Sequence, residues 1–161
     1  MAADLRRALD TLVAARRAEG KRLKGLVEGH LSSIADFAAK AGAAAAAQPE
    51  ALRERLKEQV EELLAASPAL SEERLAQEAA ILITKADVRE ELDRLEAHVA
   101  ASGELLAEGG PVGRRLDFLC QEFHREANTL CAKAADVELT RLGLELKGAI
   151  DQLREQVQNI E

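Results

Sequence analysis

A chain of 161 residues is long enough for one domain with a buried core. Its net charge of −7 argues against a protein held to nucleic acid by bulk charge alone, while leaving room for a local basic groove. Aromatic residues make up 2% and charged residues 32%, apolar runs never alternate, and Ala, Leu, Glu and Arg prevail; this argues against a sheet and for an all-α fold.

The first predicted helix runs from about Asp4 to Lys40 and continues into the alanines that follow. Leu5, Leu9, Leu12, Leu23, Leu26, Val27, Leu31, Ile34 and Phe37 follow three-and-four spacing, a coiled-coil-like seam interrupted near Arg16, Glu19 and Gly20. The preference of residues before proline for extended backbone places a break at Gln48–Pro49. A second helix then carries Leu52, Leu56, Val60, Leu63 and Leu64 and stops near "SPALS". Ser71 is a plausible N-cap for a third, which carries Leu75, Ala79, Leu82, Leu92, Leu95 and Val99 to about Ala101. "GGPVG" is the strongest breaker. A fourth helix, "GRRLDFLCQEFHREANTLCAK", follows it. A fifth starts after Asp136, its expected N-cap, with Leu139, Leu142, Leu146, Ile150, Leu153, Val157 and Ile160 on one stripe. The reading is a single helical domain over 1–161, built of long antiparallel helices in a bundle with coiled-coil-like hairpins. Its parts are a first helix over 1–48, second and third helices over 49–108, and a C-terminal helical region over 109–161.

Long apolar seams in so Ala-rich a chain favour self-association. Cys120 and Cys131 lie on the apolar side of the fourth helix, roughly 16 Å apart along its axis, too far for a disulfide. They read as small buried hydrophobes, and reduced thiols suit the cytoplasm. The absence of a signal peptide and of an apolar run of spanning length gives the same expectation, a soluble protein with no membrane partner.

Two helices carry polar groups in patterns that folding alone does not require. At about 100° per residue, Asp117, Gln121, Arg125 and Asn128, with Arg114, gather opposite the apolar side of the fourth helix. Arg115, Glu122, Glu126 and Lys133 form a flanking row. Phe118 falls between the two rows, where it meets another helix or subunit or offers a stacking platform for a base. On the third helix Asp87, Glu91, Arg94 and His98 form one stripe. Carboxylate, guanidinium and imidazole together suit acid–base chemistry or the holding of phosphate and metal; the plainer alternative is a solvated face of charge pairs. His124 reads as structural, at the edge of the core. Two acidic helices meeting across a cleft would suit Mg²⁺ or Mn²⁺, which activates water and neutralises a phosphate.

"EELDRLEAHV", "GRRLDFLCQEFHREANTLCAK", "LELKGAIDQLREQVQNIE" and, nearer the start, "RRAEGKRL" resemble, in order, the C-terminal motifs of the YicC/YloC endoribonucleases. The resemblance implies a cytoplasmic endoribonuclease dependent on Mn²⁺ or Mg²⁺, assembled as a homo-oligomer, a hexamer in the family, whose helices clamp RNA. Carried over to this chain, the motif positions are Asp87, Glu91, Arg94, His98, Arg114, Asp117, Gln121, Glu122, Arg125, Glu126, Asn128 and Lys133. Glu91, Glu122 and Glu126 are assigned as metal or water ligands. Arg94, Arg114, Arg125 and Lys133 are assigned as RNA or phosphate contacts. His98, Glu122 and Glu126 form the catalytic set, supported by Asp87, Asp117, Gln121 and Asn128. Two departures stand out. Members of the family usually carry a β-containing domain ahead of these helices, and "HREANTLCAK" stands here where the family reads closer to "NREANTLGSK". The alternative is a non-catalytic helical module for oligomerisation or RNA clamping; the blandest option is a bundle with no site.

Overall fold

The computed structural model describes residues 1–66, 71–134 and 136–160, and among these every regular element is an α-helix. In chain order they are α1 (Ala2–Ala66), α2 (Glu72–Lys85), α3 (Arg89–Glu108), α4 (Gly113–Lys133) and α5 (Val137–Val157). α1 packs along α3 and α5, and α4 packs along the same two, so α1 and α4 stand diagonally in a ring of four antiparallel helices. α2 folds back on α1.

The apolar stripes dictate this arrangement. Val27, Leu31 and Ile34 of α1 meet Leu95 of α3, Phe123 and Leu130 of α4, and Leu139, Leu146, Ile150 and Leu153 of α5 in one continuous core. Each such side chain contributes about 1.5–3 kcal/mol when fully buried. Cys120 is buried in the same core, which pushes its thiol up to about 11, and both cysteines are free. Asp136 caps α5 as expected, accepting from the Leu139 N–H at 2.8 Å. α4 and α5 approach closely at Gly143: a Cβ there would lie 2.6 Å from Cys131 Sγ.

Three boundaries differ from expectation. α1 continues through Gln48–Pro49. A proline inside a helix costs one hydrogen bond and some strain, about 3 kcal/mol, and alanine, the best helix former, fills positions 43–47 just ahead of Gln48. The expected stop at 67–70 and the side chains of Leu52 and Leu63 lie outside the described residues. The expected third helix is two helices, α2 and α3, parted at Asp87, whose Oδ1 accepts from the Arg89 N–H at 3.0 Å. This local bond offers the backbone an alternative to continuing the helix. Apolar spacing alone hides the break, because Leu82 ahead of it is exposed while Leu92 and Leu95 pack inward. α3 also runs on to Glu108.

The seam of α1 is used over only part of its length. Residues 1–22 are exposed, Leu5, Leu9 and Leu12 among them, so this part of the seam lies outside the core. Among the described residues no helix is long and apolar enough to cross a membrane.

Candidate metal centre

α3 and α4 are antiparallel neighbours joined by residues 109–112, where Gly109 and Gly110 take positive φ (73° and 78°) that side chains rarely adopt. The facing sides of these two helices hold two sets of polar groups.

The first lies at the start of α3. Glu91 is only 3% exposed, and both its oxygens accept from Lys133 Nζ, at 2.9 and 3.0 Å. The same ammonium donates to the carbonyl of Asp87 at 2.9 Å. Lys133 therefore closes the α2–α3 turn onto the end of α4. Asp87 forms a forked pair with Arg89, and the hydrogen bonds from Arg89 hold its carboxyl down at about 2.

The second lies two turns further along. His98, Glu122 and Glu126 each present a ligand atom, and these atoms lie within 4.8 Å of one another. The His98 ring stands edge-on to Phe123, centroids 5.8 Å apart and planes at 83°. Its backbone carbonyl accepts from Ser102 Oγ at 2.8 Å. Its Nε2 is buried with no hydrogen-bond partner. A buried imidazole nitrogen ordinarily finds a partner, and this one has none among the described residues. Glu126 is 3% exposed, and Arg94 Nη1 stands 3.5 Å from its Oε1. Arg94 also pairs with Glu90, through its other terminal nitrogen. Glu122 is half-exposed, with Arg125 Nη1 at 3.8 Å.

One imidazole and two carboxylates form a donor set for a divalent cation. Three ligands held about 2.1 Å from one ion stand no more than ~4.2 Å apart, so a small side-chain rotation closes the observed spacing. The orphaned Nε2 of His98 fits the same use.

The expected site residues divide accordingly. His98, Glu122 and Glu126 come together, with Arg94 at their edge and Arg125 beside Glu122. Glu91 stands apart, engaged by Lys133, and Lys133 is likewise engaged rather than open to a phosphate. Asp87 serves the turn. Asp117 faces α5: it accepts from Gln121 Nε2 at 3.0 Å and lies 3.5 Å from Arg154 Nε. Arg114 and Asn128 are exposed. The flanking row of α4 does not face solvent throughout, since Glu126 is enclosed against α3. Phe118 is 61% exposed, and no helix covers it among the described residues. His124 lies with its Nε2 3.1 Å from Asp151 Oδ1, a contact between α4 and α5. Spacing along single helices gave no sign of the Glu91–Lys133 pair, which joins residues 42 apart.

Fold and site together define a helical protein with a histidine–carboxylate centre between two antiparallel helices. Comparison with known proteins goes further. Residues 41–161 match the family described as Endoribonuclease YicC-like, C-terminal, and the chain belongs to that family. It is 41% identical, over 98% of its length, to the "Probable endoribonuclease YicC" of Haemophilus influenzae. It is 34% identical, over 96% of its length, to the protein of that name in Clostridioides difficile. It spans about half the length of these curated relatives, 55% and 53%.

Proposed function

We propose that this chain is the helical catalytic portion of a divalent-metal-dependent endoribonuclease, with its centre at His98, Glu122 and Glu126. His98, whose buried Nε2 has no partner among the described residues and whose ring meets two carboxylates between α3 and α4, carries this reading. The names of the relatives support RNA as substrate. His98, Glu122 and Glu126 would hold the ion, and the imidazole favours Mn²⁺ over Mg²⁺. When bound, such an ion lowers the pKa of water and neutralises phosphate charge. Ser102 and Phe123 fix the His98 backbone and ring, so the donor atom is oriented before any ligand arrives. Arg94 and Arg125 stand where a guanidinium can take a phosphate oxygen. The enclosed side of the cluster, at Glu126, keeps water away and strengthens each of these interactions. Assembly as a homo-oligomer belongs to the same reading, supported by the uncovered Leu5, Leu9 and Leu12 of α1.

The test is RNA cleavage by the purified protein in Mn²⁺, against His98→Ala, Glu122→Ala and Glu126→Ala. Losses of about a hundredfold or more are expected for each variant at unchanged thermal stability. A wild-type chain that is folded, oligomeric and inert would refute catalysis by this chain. The exposed ring of Phe118, between the two polar rows of α4, favours a second reading, a clamp that holds RNA without cutting it. Filter retention of intact RNA in the same samples identifies that case.

A further inference from the structure

The centre contains an imbalance that its donor set does not explain. Glu126 is a buried carboxylate, and its neighbouring cation is a guanidinium standing 3.5 Å away, longer than a direct hydrogen bond. That guanidinium is half-exposed and is shared with Glu90, one turn back on the same helix. Glu91, equally buried, has an ammonium at hydrogen-bond distance from both oxygens. Arg94 therefore compensates Glu126 loosely, from the solvent side, on a side chain long enough to leave.

We propose that Arg94 is an exchangeable counter-ion that couples cation binding to phosphate binding. This inference rests on the metal-centre reading above. Without a divalent cation, Arg94 offsets the charge of Glu126. A cation held by Glu126 makes that service redundant, and two positive charges on one carboxylate repel. Arg94 then turns away from Glu126 toward solvent, where two oxygens of a phosphate in the RNA backbone accept its two parallel N–H groups. Occupation in the reverse order gives the same end state: a phosphate that draws Arg94 off leaves Glu126 free for the cation. Linkage requires the two affinities to rise by one common factor. Arg94 is thus a positioning residue for the cation and a direct contact for the phosphate. An idle protein without RNA holds its cation weakly.

The experiment titrates Mn²⁺ into the full chain and follows the free ion by electron paramagnetic resonance. Titrations are run with and without a short single-stranded oligodeoxynucleotide, a phosphate backbone lacking 2′-hydroxyls, with its own Mn²⁺ uptake subtracted. For wild type, the oligonucleotide is expected to tighten Mn²⁺ about tenfold, and Mn²⁺ to tighten the oligonucleotide by the same factor. Arg94→Met is expected to bind Mn²⁺ more tightly than wild type in the absence of the oligonucleotide, and to lose the coupling. Arg94→Gln provides a second variant should the first unfold. Coupling that survives in both variants, or Mn²⁺ affinity no higher than wild type, overturns the proposal. His98→Ala separates the two levels: if it takes up Mn²⁺ like wild type, the metal centre itself is wrong. If His98→Ala fails to bind while the Arg94 variants behave as wild type, only the linkage is wrong.

Discussion

Glu91 and Glu126 face each other's helices across the same interface and are equally enclosed, each 3% exposed. Glu91 has its charge matched by Lys133 at 2.9 and 3.0 Å. Glu126 has one half-exposed guanidinium at 3.5 Å, a second carboxylate nearby and an imidazole nitrogen with no partner. Enclosing a carboxylate costs several kcal/mol unless a cation compensates it. One glutamate is compensated from within the chain and fastens the fold. The other is left poorly compensated, as the proposed cation site would require. Burial and residue type are identical; what separates the two is how closely a cation of the chain compensates each.

The largest test of this contrast is Lys133→Met. It strands Glu91, and a loss of about 3–5 kcal/mol in urea unfolding is expected. Glu126→Gln, by contrast, should leave stability unchanged or slightly raised in the absence of metal. Equal losses in the two variants would erase the distinction. A smaller effect is expected from Mn²⁺ at the proposed centre, whose three donors come together only in the folded chain. At a hundredfold excess over its Kd it should stabilise wild type by about 2.7 kcal/mol, visible as a rise in Tm. His98→Ala should abolish that rise, while Glu91→Gln, though less stable, should keep it.

The smallest effect concerns Asp87, at the Glu91 end. Its carboxyl is depressed from 3.8 to about 2 in the folded chain, mainly by hydrogen bonds from Arg89. A depressed carboxylate contributes stability that is complete above its unfolded pKa and is lost as pH falls through the folded one. That contribution should fade between about pH 4 and pH 2. Its size is small, because the pair is largely exposed to solvent. In Asp87→Asn the acid side of the stability profile should be shallower over that window. An unchanged profile would mean that Asp87 gives the turn no charge-dependent support.

Much of this was legible in the sequence, for identifiable reasons. The stripe from Leu139 to Val157 and the cap at Asp136 are local signals, and the structure repeats them. His98, Glu122 and Glu126 were singled out by pattern and resemblance, because each lies on a helix whose face can be drawn from spacing. What spacing cannot supply is depth. Glu91 sits on the same stripe as His98, and Lys133 on the same row as Glu126, yet the registry of α3 against α4 commits that pair to the fold. The break at Asp87 was obscured by apolar residues on both sides. Pro49 suggested a break that the preceding alanines override.

The turn at 109–112 has a consequence for how the molecule forms. It joins the two helices that carry the whole His98 cluster, and a connection of this length closes at little entropic cost. The contact of α1 with α3, exemplified by Lys24 donating to the carbonyl of Leu106 across 82 positions, closes a far longer loop. Local pairings form first when long loops are the slow step. The two helices that carry the candidate centre are therefore expected to pair before the longest helix docks.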